Sequence, residues 1–206
     1  MLHPDTVEPR TLELLNRLSV MPELSDFFLV GGTALALQIG HRKSIDLDFF
    51  TLAPFDEEQL VKALQSHFSM TLNSQNTNTL LCEIENVKVD FIAHQYRQLK
   101  NNSIHGSIKL ASLEDIAAMK LNAIKNRGSK KDFVDLYFLI KELGFEQMLS
   151  FFTQKYPNQS ELMILKSLTY FTDAETEPEP IVLLDCTWSQ VKHEIEARVN
   201  QFIENQ

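Results

Sequence analysis

The chain has 206 residues, of which 44% are hydrophobic and 23% charged, which is typical of a globular protein able to build a core. Its net charge of −9 excludes a broadly basic nucleic-acid-binding surface and restricts any such contact to a local patch. The two cysteines are far apart in sequence and are predicted to be reduced thiols. The sequence shows no signal peptide and no apolar run long enough to span a bilayer, which predicts a cytoplasmic location without membrane contact.

The first half of the chain alternates predicted strands and helices. In chain order these are a helix over 5–20, a buried strand at 27–30, a tight glycine turn at 31–32, a helix over 33–40, a strand at 44–50, a helix over 54–68, a polar loop or ragged edge strand at 71–79, and a hairpin over 80–94. The pattern indicates about four strands with interleaved helices, which is an α+β or α/β core.

The second half is predicted to be helical from Ser112 onward. Ser112 is a candidate N-cap, with Asp115 three residues later and Gly128 as the stop. Further helices are predicted over 129–144, 145–155, 160–171 and 188–203, with an acidic, proline-bearing linker over 173–181. We therefore expect an α+β fold in which a core of residues 1–110 carries a small mixed sheet and residues 111–206 form a helical domain.

Asp46 and Asp48 interrupt an otherwise apolar strand. Side chains alternate along a strand, so the two carboxylates share one face while Ile45, Leu47 and Phe49 pack on the other. Their Cα atoms lie roughly 6.5 Å apart, close enough to bind one divalent cation or a pair. Oxygen ligands of this kind favour Mg²⁺ or Mn²⁺. Taken alone, the triplet also fits a solvated strand end.

A glycine pair precedes the two aspartates. Gly31 and Gly32 fall between a strand and a helix, where bare backbone N–H groups bind phosphate, and Thr33 is predicted to cap that helix and add a hydroxyl donor. By itself the pair also fits a tight turn that needs positive φ. Combined with two carboxylates on the next strand, the turn predicts a nucleoside triphosphate site.

Asp90 is a third carboxylate within an apolar strand. A lone aspartate along a central strand costs free energy unless it has a partner. If its strand pairs beside Asp46 and Asp48, Asp90 can share a second metal and accept a proton from an attacking hydroxyl. The alternative is an aspartate at a strand edge.

These motifs together resemble the DNA-polymerase-beta-like nucleotidyltransferase superfamily. More narrowly, "LVGGTALALQIGHRKSIDLDFFT", "VKVDFI" and "KLNAIKNRGSKKDFVDLYFL" resemble the AbiEii/AbiGii-type nucleotidyltransferase toxin family, and the likeness covers about residues 25–143. Gly32 departs from the superfamily, in which serine is common at this position. The hydroxyl of Thr33 is a candidate replacement.

The resemblance implies metal-dependent transfer of a nucleoside monophosphate from an NTP to an acceptor hydroxyl, with release of pyrophosphate. Asp46 and Asp48 would hold Mg²⁺ or Mn²⁺, and Asp90 would assist one metal or deprotonate the acceptor. In some members of the family the acceptor is the end of a tRNA. Such members are the toxic half of a toxin–antitoxin or phage-defence pair, which implies a cognate antitoxin protein.

A basic segment follows in the helical half. It contains Lys120, Lys125, Arg127, Lys130 and Lys131. Cations stabilise the negative charge that develops on a phosphoryl group during transfer. This segment, including Arg127, is therefore predicted to bind the nucleotide and the end of an RNA.

The family pattern implies that Lys120 contacts the nucleotide phosphates and that Asp132 lies in the active-site cleft between the two domains. Asp132 and Asp135 share a helix face, and Asp135 is a candidate partner that orients a cation. Lys130 and Lys131 are expected in a solvated helix junction. The loop at 41–43 either steers triphosphate or is solvated.

Two other functions remain open at this point. A metal-dependent glycosyltransferase also uses Asp-x-Asp, but it leaves the glycine pair and Asp90 without a role. A non-catalytic module that binds an NTP or a partner protein would not require all three aspartates.

Overall fold

The computed structural model describes residues 2–205, which form two units. One unit contains the described residues up to Tyr96 together with Asn101–Ala111, and the other contains Arg97–Lys100 together with the described residues from Ser112. Within residues 2–205, no helix is both long and apolar enough to cross a membrane.

The first unit is a seven-stranded sheet with three α-helices. The helices are α1 Pro9–Leu18, α2 Gly31–Ile39 and α3 Glu57–His67, and the strands are β1 Phe28–Val30, β2 Leu47–Thr51, β3 Met70–Asn76, β4 Thr79–Ile84, β5 Val87–Ala93, β6 Ser103–His105 and β7 Ile108–Leu110. The strand order is β3-β4-β5-β2-β1-β7-β6.

Strand β2 lies at the centre of this sheet. It pairs antiparallel with β1 and parallel with β5, and β7 pairs parallel with β1. Leu29, Leu47 and Phe91 from the three central strands are fully buried. The mixed sheet, followed by helices, confirms the predicted α+β class.

The sheet is larger than predicted because β6 and β7 have only three residues each, too few to display the alternation of a strand. Strand β3 lies at the sheet edge, which explains why its residues are mostly polar and exposed. Helix α1 begins at Pro9 and not at residue 5, since proline suits the first helical position.

The second unit is helical. Its helices are α4 Leu113–Asn126, α5 Lys130–Leu143, α6 Phe145–Lys155, α7 Glu161–Leu168, α8 Thr172–Glu175 and α9 Trp188–Glu204. Ser112 caps α4 as predicted, because its hydroxyl accepts the N–H of Asp115 at 3.1 Å. The short α8 forms inside the segment predicted to be a linker.

A buried ion pair holds an extended segment within the helical unit. The Asp115 carboxylate accepts N–H groups from Leu99 and Lys100 at 3.1 Å and receives the Lys155 ammonium at 2.7 Å. Lys155 also donates to the carbonyl of Arg97 at 2.9 Å. Asp115 and Lys155 are almost completely buried, so they fix the segment 97–100 to α4 and α6.

Candidate active site

Strand register brings two of the predicted carboxylates together. Asp48 on β2 pairs directly with Asp90 on the parallel strand β5. Neighbouring strands lie about 4.8 Å apart, and paired residues point to the same face. Asp46 lies one residue before the start of β2. Asp46, Asp48 and Asp90, called here the acidic face, therefore lie on or directly before two neighbouring central strands of one sheet.

Asp90 is buried and only half satisfied. Its Oδ2 lies 2.9 Å from the ammonium of Lys88, while its Oδ1 is buried and accepts no hydrogen bond within residues 2–205. A buried carboxylate oxygen without a donor costs free energy. Asp90 is therefore suited to receive another positive group or a proton.

Lys88 is part of the site, and the sequence reasoning missed it. Burial lowers the pKa of Lys88, but the hydrogen bond to Asp90 and the charges of Asp90, Asp48 and Asp46 outweigh burial and raise the pKa above its ordinary value. The ammonium of Lys88 thus interacts electrostatically with all three carboxylates. Its spacing from Asp90, two residues along the same strand, is the signal that could have found it.

Gly31 lets the backbone approach Asp48. Its φ is +69°, and a Cβ at this position would lie 2.3 Å from Oδ2 of Asp48. Gly31 also begins α2, directly after β1. A side chain here would displace the Asp48 carboxylate, so the glycine has a steric role as well as a conformational one.

Gly32 makes room for a buried arginine. A Cβ at Gly32 would lie 2.2 Å from Nη2 of Arg42, and Arg42 is only 4% exposed. His41 is also buried. Of the two alternatives for this loop, the solvated one is wrong for His41 and Arg42, because the guanidinium occupies the space that the glycine leaves.

Thr33 does not cap α2. The N-cap is Val30, because the helix begins at Gly31, three residues earlier than a Thr33 cap requires. The buried Thr33 hydroxyl instead lies 2.8 Å from Oγ of Ser44 and donates to the carbonyl of Asp46. It therefore holds the backbone that carries the first aspartate, and its predicted phosphate contact stays a prediction.

Ile45 does not join the apolar face of β2. Leu47 and Phe49 are buried as predicted, but Ile45 is 58% exposed. The strand begins only at Leu47, so alternation does not extend back to Ile45.

In the helical unit, Lys120 lies between two buried carboxylates. Its ammonium is 2.8 Å from Oδ1 of Asp132 and 2.5 Å from Oδ2 of Asp135, and both aspartates are fully buried. The prediction that Asp135 orients a cation is confirmed by this contact. A nucleotide phosphate would have to share the ammonium with these two carboxylates.

The Asp132 carboxylate also accepts hydrogen bonds from Arg127 and Ser129. Arg127 Nε lies 3.1 Å and Ser129 Oγ 2.6 Å from its Oδ2. Burial raises the pKa of Asp132, but the charges of Lys120 and Arg127 and the hydrogen bonds from Lys120 and Ser129 outweigh burial and lower the pKa to about 2. Asp132 is therefore a stable anion at neutral pH.

This low pKa predicts a loss of stability in acid. Because the pKa of folded Asp132 is about 2 and its ordinary value is 3.8, its contribution is complete above about pH 5 and disappears as pH falls toward 2. The difference corresponds to about 2 kcal/mol. We expect the free energies of unfolding of wild type and Asp132→Asn, measured in urea by Trp188 fluorescence, to converge between pH 5 and pH 2. The exposed control Asp26→Asn should parallel wild type, and a pH-independent gap for Asp132→Asn would contradict the prediction.

Lys130 is not solvated, contrary to expectation. It is 3% exposed, its ammonium lies 2.9 Å from Glu179, and its backbone N–H donates to Glu177 at 2.7 Å. The acidic segment after α8 covers it, which its position at a helix start did not reveal. Lys131 is exposed, as expected.

The chemistry of the acidic face fits a hard cation. Within residues 2–205, no group of three or more His, Cys, Asp or Glu is already placed to hold a metal ion. Mg²⁺ and Mn²⁺ nevertheless prefer carboxylate oxygens, and the strand register already sets Asp48 beside Asp90 with its unsatisfied Oδ1.

Comparison with known proteins identifies the family. The profile of the nucleotidyl transferase AbiEii toxin family, a type IV toxin–antitoxin system, matches residues 13–101 and 83–198. The chain belongs to this family. A relative, "Uncharacterized protein aq_aa25" of Aquifex aeolicus (strain VF5), is 35% identical over 201 residues, which cover 94% of this chain and 96% of the relative.

Solved structures share the fold of this AbiEii-family protein. JHP933 from Helicobacter pylori is 18% identical with a TM-score of 0.57, and the match covers 97% of this chain and 94% of that chain. The antibiotic-resistance factor ANT(2'')-Ia is 14% identical with a TM-score of 0.55, and the match covers 71% of this chain and 91% of that chain. At these identities the likeness concerns the fold alone.

The protein is accordingly a nucleotidyltransferase, and the glycosyltransferase and non-catalytic alternatives are set aside. The roles predicted for Asp46, Asp48, Asp90, Lys120 and Asp132, and the nucleotide contacts predicted for Gly31, Gly32, Thr33 and Arg127, stay predictions. So does the role of the helical domain in completing a cleft.

Proposed function

We propose that this AbiEii-family enzyme transfers a nucleoside monophosphate from an NTP to the terminal hydroxyl of an RNA such as tRNA, with Mg²⁺ or Mn²⁺ on the acidic face. The observation that carries the proposal is the direct pairing of Asp48 with Asp90 beside Gly31. A carboxylate pair next to the start of a helix that opens with two glycines suits a metal-bound triphosphate.

The three carboxylates of the acidic face have two proposed roles, metal binding and proton acceptance. Asp46 and Asp48 would hold the metal, which when bound neutralises the phosphate oxygens and stabilises the charge that develops on them. Asp90 Oδ1 accepts the proton of the attacking hydroxyl. A bond forms between the acceptor oxygen and the α-phosphorus as the bond to the β-phosphate oxygen breaks, and pyrophosphate leaves.

The glycine turn and Arg42 hold the phosphates in this proposal. The backbone N–H groups at the start of α2 have no intrahelical partner, because the first turn of a helix leaves its donors free. Arg42 lies against Gly32, so its guanidinium can add positive charge where the broader superfamily commonly has a serine hydroxyl. Arg42 and Thr33 are both candidates for the missing donor, and both already have partners. Arg42 Nη1 donates to the carbonyl of Lys43 at 2.8 Å, and the Thr33 hydroxyl contacts Ser44 and Asp46.

A cognate antitoxin protein is the second proposed partner. The family is a type IV toxin–antitoxin system, so expression of this chain alone should arrest growth of a bacterial host. Co-expression with the product of a neighbouring gene should relieve that arrest.

One incubation tests the transfer reaction. Purified protein with each α-³²P-labelled NTP, Mg²⁺ and total RNA should label an RNA band, and EDTA should abolish labelling. Periodate oxidation of the RNA 3′ end before incubation should also prevent labelling. Label on protein, or on RNA whose 3′ end was oxidised, would overturn the proposed acceptor, and labelling that persists in EDTA would overturn the metal requirement.

A further inference from the structure

The helical unit contains a basic groove at the end of the segment that carries Lys120. The groove has a volume of about 360 Å³, and three cations, Lys125, Arg127 and Lys166, line it together with Tyr170 and Asp173. Three positive charges against one negative charge is an unusual local balance in a chain with a net charge of −9. Such a groove selects an anionic ligand.

Tyr170 offers an aromatic surface on a rigid base. The residue is 54% exposed and follows the end of α7, where its backbone N–H donates to the carbonyl of Ser167 at 3.2 Å. The next residue, Phe171, is buried, and its ring lies 4.9 Å from that of Phe133. The ring of Tyr170 is therefore presented to solvent by an ordered backbone, which suits stacking of a nucleobase.

Arg127 connects the groove with the buried ion network. Its Nε lies 3.1 Å from Asp132, while its side chain is 63% exposed. The guanidinium is thus anchored by Asp132 and largely exposed, so a phosphate can reach it from solvent. Arginine suits this arrangement because its planar fork binds two groups at once.

We propose that this groove binds the single-stranded end of an RNA, with a terminal base stacked on Tyr170 and phosphates on Lys125, Arg127 and Lys166. The proposal rests on the proposed function for the identity of the polymer, and it names where in the helical unit the acceptor is held. An NTP is a weaker candidate, because Asp173 is the only carboxylate among the residues that line the groove and a metal-bound triphosphate needs several. A protein partner is also disfavoured, because the exposed part of the lining is mostly cationic and its apolar residue Ile124 is buried.

Three cations imply a shallow salt dependence. For single-stranded nucleic acid the slope of log affinity against log salt is about −0.7 for each phosphate neutralised, so three contacts give about −2. Binding of a fluorescein-labelled eight-nucleotide RNA with a free 3′ end, followed by anisotropy without NTP or metal, should give this slope. Lys166→Ala should reduce its magnitude by about 0.7.

Substitutions at Tyr170 separate stacking from charge. Tyr170→Ala should weaken RNA binding at least about fivefold, which is the lower limit for loss of one base–aromatic stack, while Tyr170→Phe should stay within about twofold of wild type. The matched control is Arg198→Ala, which removes one positive charge from the exposed face of α9. The proposed RNA-binding groove would be refuted if Tyr170→Ala left the RNA affinity unchanged, or if Arg198→Ala and Lys166→Ala lowered the RNA affinity equally.

Asp48→Asn keeps the two proposals distinguishable. Asp48 does not line the groove, so this variant should still bind the RNA in the absence of NTP and metal while losing transfer, which separates binding in the groove from the reaction. If transfer to RNA occurs but Tyr170→Ala does not weaken RNA binding, the proposed binding groove is refuted and the proposed reaction is retained. If Tyr170→Ala weakens binding but no RNA is ever labelled, the groove stands and the proposed reaction is wrong.

Discussion

Asp48→Asn is expected to abolish nucleotide transfer, with a loss of at least about 10³-fold, because it removes a charge from the site that would bind metal and phosphate. The fold should survive. Asp48 lies beside Asp90, and removing one of several neighbouring negative charges relieves repulsion. The melting temperature of metal-free protein should therefore stay the same or rise.

Metal titration supplies a readout that does not depend on activity. Mg²⁺ should raise the melting temperature of wild type, since a ligand that binds only the native state stabilises it, and should leave that of Asp48→Asn unchanged. Asp26→Asn, an exposed change of the same kind, should behave as wild type in both assays. Transfer at the wild-type rate in Asp48→Asn would refute the assignment.

Lys120→Met is expected to lower the free energy of unfolding by about 3–5 kcal/mol, because it leaves a pair of buried carboxylates without the ammonium between them. Asp132 and Asp135 are both fully buried and contact that ammonium directly. The loss should shrink as pH falls and one carboxylate takes up a proton. Urea unfolding followed by fluorescence of Trp188, the single tryptophan, reports on the unit concerned.

Lys131→Met is the matched control for this change. It removes the same charge from an exposed position on α5, and surface ion pairs contribute little to stability. A similar loss in both variants would show that the net charge of the segment matters and not the buried triad. A stable Lys120→Met protein with weakened NTP affinity would instead favour the nucleotide contact over the structural role.

The acidic face could be predicted because its signals are local. The Asp-x-Asp spacing singles out Asp46 and Asp48, although strand β2 begins only at Leu47, and a lone Asp90 among apolar residues demands a partner. Lys88 shares this local signal, because it lies two residues from Asp90 on the same strand. Arg42 could not be found in the same way, because its burial depends on the space left beside Gly32.

The helical half shows the same limit. Cap and stop residues located α4 and α5, and the shared face of Asp132 and Asp135 followed from helical spacing. The burial of Lys130 could not be foreseen, because Glu177 and Glu179 come from a segment more than forty residues away that has no periodic pattern. Contacts made by irregular segments depend on tertiary packing, which spacing does not encode.

The segment 97–100 is held by Asp115 and Lys155 within the helical unit, although residues on both sides of it belong to the first unit. A single truncation point therefore cannot separate the two units. The polypeptide passes from one unit to the other after residues 96, 100 and 111. A fragment that starts at Ser112 would retain Asp115 and Lys155 but lose the N–H groups of Leu99 and Lys100 that the carboxylate accepts. A junction after residue 96 would keep these contacts but separate Asn101–Ala111 from the rest of the first unit. No single junction in the sequence therefore exchanges one unit between relatives and leaves the other intact.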